Sequence, residues 1–228
     1  MRSASTILLA LDTSTRTVGL ALYDGAQVLA EAVWTSQDYH TVEMAPAVAD
    51  TLRKASITAE GLGAVAVALG PGSFTGLRVG LALAKGLAMA RTLPIVGLPT
   101  LDALAAAQPL LDMPMAAVLR AGRGRLAVGW YHVEKGAWQP AGKLEALKTQ
   151  DLAERIQSPT LICGELTAEE RKFFAREKPL ACLASPARSL RRPAYLAELA
   201  WKRWQAGKTD DPTSLAPVYL HYHEPIPE

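Results

Sequence analysis

Cysteine is nearly absent from this chain. Its two residues, Cys163 and Cys182, stand too far apart for any paired metal or redox spacing and fit a reducing compartment. An excess of either charge is also missing. The 24 basic and 22 acidic residues leave a formal net charge of +2, which excludes a dedicated nucleic-acid binder and restricts any basic patch to a local one. No long apolar run occurs. Residues 7–11 are interrupted by Asp12, too soon for a signal-peptide core, and no segment reaches the roughly 18 apolar residues of a spanning helix. The expectation is a soluble, cytoplasmic protein without a membrane role. What the chain does have is length and apolar content: 228 residues, half of them hydrophobic, enough for one large domain or two small ones with a real core.

Apolar runs at 7–12, 17–24 and 26–34, with Asp24-Gly25 between the last two, predict three antiparallel strands. Val42, Ala45, Val48, Ala49 and Leu52 recur at helical spacing over 39–55, with Thr41 as the expected N-cap and Pro46 as an expected bend. A strand at 64–69, a helix through 77–90, a strand at 94–98 and a helix near 99–107 follow. This alternation of hairpins and crossovers predicts an α/β domain with a mixed sheet. The proline-containing stretch 108–114 reads as a linker. Beyond it come a hairpin around Gly122-Arg123-Gly124, a charged helix at 167–178, and an amphipathic helix at 193–207 that starts on Pro193 and stops at Gly207. No internal repeat is evident.

The stretch GPGSFTGLRVG, 70–80, has the look of a phosphate cradle but fits neither fingerprint. The sixth residue from Gly70 is Thr75 with no lysine before Lys85, and Gly70, Gly72 and Gly76 are spaced one residue too widely for the dinucleotide pattern. Backbone N–H groups at the helix start could still attract an anion. Between 70 and 90 only Arg78 and Lys85 are charged, so the helix needs cover on most sides. Gly76, Gly80 and Ala84 form a smooth stripe, to be packed either on this chain's own sheet or against a second subunit.

LALDTST (9–15), YHTVEMAPAV (39–48), VALGPGSFTGLRVGLALAKGLA (67–88) and LAPVYL (215–220) resemble the TsaB family, also called YeaZ, in family order along nearly the whole chain. The resemblance implies an α/β, actin-like ATPase fold (ASKHA, ribonuclease-H-like) of two lobes with mixed sheets. The first lobe would be 1–107 with the C-terminal helix 193–207 packing back on it, and 108–190 a smaller second lobe. It also implies a non-catalytic subunit that pairs with a TsaD-like paralogue and a TsaE-like ATPase to threonylcarbamoylate adenosine 37 of tRNA, and that forms a homodimer when alone. ATP and metal would belong to those partners, with no cofactor of its own. The implied partner face lies on helices 39–55 and 74–90, with His40, Val42, Ala45, Gly76, Val79, Gly80, Leu83 and Leu87 as its residues.

The residues bear on that implication. The catalytic paralogue binds metal through His-x-x-x-His, whereas His40 is followed four residues on by Met44, and a thioether does not replace imidazole at a hard-metal site. Asp12, Thr13 and Ser14 sit at the turn where actin-like ATPases hold phosphate and magnesium; either Asp12 and Ser14, with Gly70 and Gly72, are a vestigial nucleotide site, or Asp12 and Ser14 simply tie down a strand turn. Arg120 and Arg125 stand where the family has acids and with Arg123 make a cationic hairpin, either a solvated turn or a contact to the tRNA backbone. His221 replaces a usual arginine; with His223 it is too small a ligand set for a metal. Ser73 lies in G-S-F-T-G, not in a nucleophile elbow, and no histidine has a placed acid. The competing class is an actin-like ATPase or sugar kinase acting alone through Asp12 and 70–76; a metalloprotease fails on ligand count.

Overall fold

The computed structural model describes residues 7–37, 40–122 and 124–220; Arg123, His221 and His223 fall outside them. Strand β1 (Ile7–Asp12) is buried along its whole length, because a helical layer covers each side of it. Ile7, Leu9 and Leu11 point into one core and Leu8 and Ala10 into the other, the alternation that a pleated strand imposes. Strands β2 (Thr17–Tyr23) and β3 (Val28–Thr35) continue antiparallel from it. Strands β4 (Leu62–Ala68) and β5 (Ile95–Leu98) run parallel on its other side, giving the order β3-β2-β1-β4-β5. Helices α1 (His40–Lys54) and α2 (Phe74–Arg91) cover one side of the sheet through Met44, Val48, Leu52, Leu81, Ala84 and Ala88. The other side is lined by small residues, Ala10, Ala64, Ala66 and Ala68, which let α6 (Pro193–Gln205) approach with its own Ala197 and Ala200.

The second sheet repeats this plan. Strands β6 (Met115–Gly122), β7 (Arg125–Glu134) and β8 (Ala137–Pro140) form an antiparallel meander, and β10 (Thr160–Gly164) and β11 (Ala181–Leu183) add in parallel beside β6. A short β9 (Glu145–Leu147) also pairs with β7. Helices α4 (Thr149–Arg155) and α5 (Ala168–Glu177) cover one side through Leu152, Ala153 and Phe174. Helix α3 (Thr100–Ala106) supplies Leu101, Leu104 and Ala105 to the other side. Apart from the added β9, each unit therefore runs βββαβαβα, and each ends in a helix packed on the other unit's sheet. This duplicated, helix-exchanged plan is the two-lobed actin-like fold. The repeat lies in topology and left no repeat in sequence, because matching positions need only be apolar. Gly70 and Gly164 close matching strands, β4 and β10, both at φ 116°, where a side chain would strike a carbonyl oxygen of Val218 or Val118.

Two expectations need correction. Helix α3 does not belong to the first lobe alone, since Ala103 faces the first lobe's core and Leu101 and Leu104 the second's. Thr41 is not a cap; the first helix begins at His40 and Thr41 lies exposed in its first turn. Pro46 lies within α1. No helix among the described residues is long and apolar enough to cross a membrane.

Candidate functional site

A cleft of about 950 Å³ opens between the lobes, bordered by Thr15, Thr17, Gly72, Phe74, Glu165 and Tyr219 among others. At its head is the turn after β1, and the residues of this turn reach four different elements. Thr13 donates its hydroxyl to the Gly76 carbonyl of α2 at 2.7 Å. Ser14 Oγ shares a 2.7 Å hydrogen bond with Thr100 Oγ1 at the start of α3. Thr15 donates to Glu165 Oε1 of the second lobe at 2.5 Å, and its carbonyl oxygen accepts from His40 Nε2 of α1 at 3.0 Å.

Asp12, the only carboxylate among the described residues that is buried outright, is fully committed. Its Oδ1 accepts from the Ser14 N–H at 2.9 Å and its Oδ2 from Arg191 Nε at 2.9 Å. Arg191 is itself buried. It also pairs with Glu165 through Nη1 and donates from Nη2 to Thr15 Oγ1 at 2.9 Å and the Thr17 carbonyl at 2.6 Å. Burial alone would pull its pKa down, but Asp12 and Glu165 outweigh that and raise it. A buried charge needs such compensation.

The glycine loop after β4 is similarly engaged. The Gly70 N–H donates to Thr100 Oγ1 at 3.0 Å, the Ser73 N–H to the Ser14 carbonyl at 2.6 Å, and the Gly76 N–H to the N-capping Ser73 hydroxyl at 3.3 Å. A Cβ on Gly72 would strike the Ser14 carbonyl oxygen. The four residues expected at a vestigial nucleotide site, Asp12, Ser14, Gly70 and Gly72, are thus brought together, with these contacts all made inside the chain. The tail closes over the same loop. The Val218 N–H donates to the Leu69 carbonyl at 2.7 Å, and Tyr219 stacks on Phe74 at 5.2 Å while accepting from Arg78 Nε at 3.0 Å.

The expected partner face divides. Gly76 and Gly80 are buried against the chain's own β1 turn, where a Cβ would meet the Thr13 carbonyl oxygen and hydroxyl respectively. The small-residue stripe therefore serves internal packing, and neither glycine is available to a partner. His40 is also buried, held by Thr15. Val42 is 66% exposed and Ala45 is exposed; of the residues that recur at helical spacing in α1, Val48 and Leu52 enter the core. Val79, Leu83 and Leu87 are half-buried. Ala45, Val79 and Leu83 join Met44, Phe74 and Ala82 around an apolar groove of about 440 Å³ between α1 and α2.

Arg120 pairs with Glu170 at 2.7 Å. Burial works against the Glu170 charge, but the Thr167 N–H, Arg120 and Thr149 hold its pKa below the usual carboxylate range. Arg125 is half-buried and also engaged. Among the described residues no cluster of three or more His, Cys, Asp or Glu could hold a metal.

Sequence reading missed Arg191, Glu165 and Thr15. A signal was present: Arg191 and Arg192 stand directly before a helix N-terminus, where the helix dipole disfavours cations. Both are answered by distant acids, Arg192 by Glu31, which also accepts from the Ala194 N–H at 2.9 Å.

Comparison with known proteins agrees with this architecture. Residues 27–186 match the family model described as TsaD: tRNA N6-adenosine threonylcarbamoyltransferase. The chain is 30% identical over 223 residues to the Bacillus subtilis "tRNA threonylcarbamoyladenosine biosynthesis protein TsaB", covering 95% of each. It is 32% identical over 153 residues to the Escherichia coli protein of that name, about two thirds (66%) of each. YeaZ from Pseudomonas aeruginosa superposes with a TM-score of 0.76 at 27% identity, covering 94% of this chain and 100% of that one. An alignment that runs end to end, over the same two-lobed fold, places the chain in the TsaB (YeaZ) family.

Proposed function

We propose that this chain, as a TsaB-family member of tRNA threonylcarbamoyladenosine biosynthesis, acts there as a non-catalytic scaffold that activates a TsaD-like catalytic paralogue working with a TsaE-like ATPase. The observation that carries the reading is the commitment of Asp12, the one outright buried acid among the described residues, to a buried arginine of the same chain. A carboxylate held in this way is not available to a nucleotide's metal. The place of a second imidazole, four residues after His40, is taken by Met44, packed in the core. ATP and metal are then supplied by the partners.

The partner contact is assigned to the exposed sides of α1 and α2, where Ala45, Val79, Ala82 and Leu83 present apolar surface around the groove and Val42 stands exposed on α1. Apolar surface at the centre of a contact is what association buries. The same surface serves a homodimer when the chain is alone, and tRNA is met only in the assembly. Mixing the chain with the host's TsaD-like protein and measuring mass by sedimentation tests this. A heterocomplex that forms at the expense of self-association supports it. Tight binding of magnesium-ATP by the isolated chain, with no heterocomplex, would instead favour an ATPase or sugar kinase acting alone.

A further inference from the structure

We propose that Arg191 is a resident cation that latches the two lobes together and holds in place the turn on which α1 and α2 both rest. The geometry carries this independently of any partner. Asp12 comes from the first lobe and Glu165 from the second, and both carboxylates close on the same guanidinium. The remaining donors of Arg191 reach Thr15 Oγ1 and the Thr17 carbonyl. Thr15 in turn donates to Glu165, so Arg191, Glu165 and Thr15 close a ring across the cleft, to which Asp12 is joined through Arg191 Nε. Two carboxylates that converge on one point repel each other unless a cation stands between them. This chain brings its own on the segment that leads into α6, the helix that crosses back to the first lobe.

From the latch, two short paths lead to the helical face. The Thr15 carbonyl holds His40 at the start of α1, and Thr13, two residues before Thr15, holds the Gly76 carbonyl in the first turn of α2. Beside the core packing of the helices and the crossing of α3 and α6, one side chain therefore ties the facing rims of the lobes to the turn that meets both helices. A planar fork of five donors suits this task, and an ammonium does not. Any consequence for partner binding rests on the reading under Proposed function, whereas the latch itself is tested on the isolated chain.

The test is hydrogen–deuterium exchange on the full chain, comparing wild type with Arg191→Ala, Arg191→Lys and Arg192→Ala. In Arg191→Ala, protection of 12–17, 164–167 and the start of α1 is expected to fall by about two orders of magnitude, the scale of breaking a buried pair. Millimolar guanidinium chloride is expected to restore part of it, and equal sodium chloride none. Arg192→Ala, which loses only the exposed pair with Glu31, should leave those segments unchanged. Should Arg191→Ala fail to fold, Arg191→Lys carries the test, with faster exchange confined to the same segments. Wild-type exchange in the Lys variant overturns the proposal. So does uniform loss of protection across Arg191→Ala with no response to guanidinium, because that pattern belongs to general packing.

Discussion

Two glycines of α2 should respond to alanine with opposite signs. A methyl group at Gly80 would run into Thr13, whose hydroxyl is fixed by its bond to Gly76 and whose Cβ and Cγ2 lie at 3.3 Å from the new atom. Thr13 is fully buried and has no room to withdraw. Overpacking of this kind costs about 1–3 kcal/mol, against a gain of about 1 kcal/mol in helix propensity. Gly80→Ala should therefore lose up to about 2 kcal/mol net, a drop of up to roughly 8 °C in Tm for a chain of this size. Gly86, on the same helix, has nothing within 4 Å of a notional Cβ. Gly86→Ala keeps the propensity gain and should rise by about 2–4 °C. Thermal unfolding followed by circular dichroism reads both. A Gly80→Ala protein as stable as Gly86→Ala would refute the internal-packing account and return Gly80 to an open face.

Other substitutions separate the partner face from the fold. Val42→Glu places a charge on a 66% exposed position, so stability should stay within about 0.5 kcal/mol of wild type. Affinity for the TsaD-like protein, by titration calorimetry, should fall at least about tenfold; unchanged affinity would remove α1 from the contact. Asp102, on α3, is a carboxylate whose pKa burial raises above 3.8, with the 2.7 Å bond from the Tyr131 hydroxyl pulling the other way. The folded state therefore holds this proton more tightly than the unfolded chain. Its contribution is fully present below 3.8 and is lost as pH rises through the folded pKa. The Tm of Asp102→Asn relative to wild type should thus climb with pH from there and then level off; a constant difference would contradict the burial argument.

Much of the fold was legible because its signals are local. The ILLALD run is apolar throughout because β1 is covered on both sides, and the Asp24-Gly25 turn and the Pro193 start of α6 are set by neighbouring residues. The crosswise packing of α3 was not legible, and that of α6 came only from the family resemblance, since apolar helix faces do not say which sheet they meet. The same limit explains the error at Gly76 and Gly80. Four-residue spacing of small side chains announces a close approach but not the identity of the approaching backbone, here Thr13 of the same chain. Asp12 was visible as a candidate from the sequence, yet its partner Arg191 lies 179 residues away. No local rule joins them.

The central claim is that this chain is required by, but does not perform, threonylcarbamoylation. Its most direct test combines the host's TsaD-like and TsaE-like proteins, an enzyme generating threonylcarbamoyl-adenylate, ATP and unmodified tRNA, with and without this chain. Threonylcarbamoyladenosine is then quantified by nucleoside mass spectrometry. The account predicts product only when the chain is present, and none from the chain when the TsaD-like protein is left out. Equal product without the chain, or product from the chain in place of the TsaD-like protein, would contradict it.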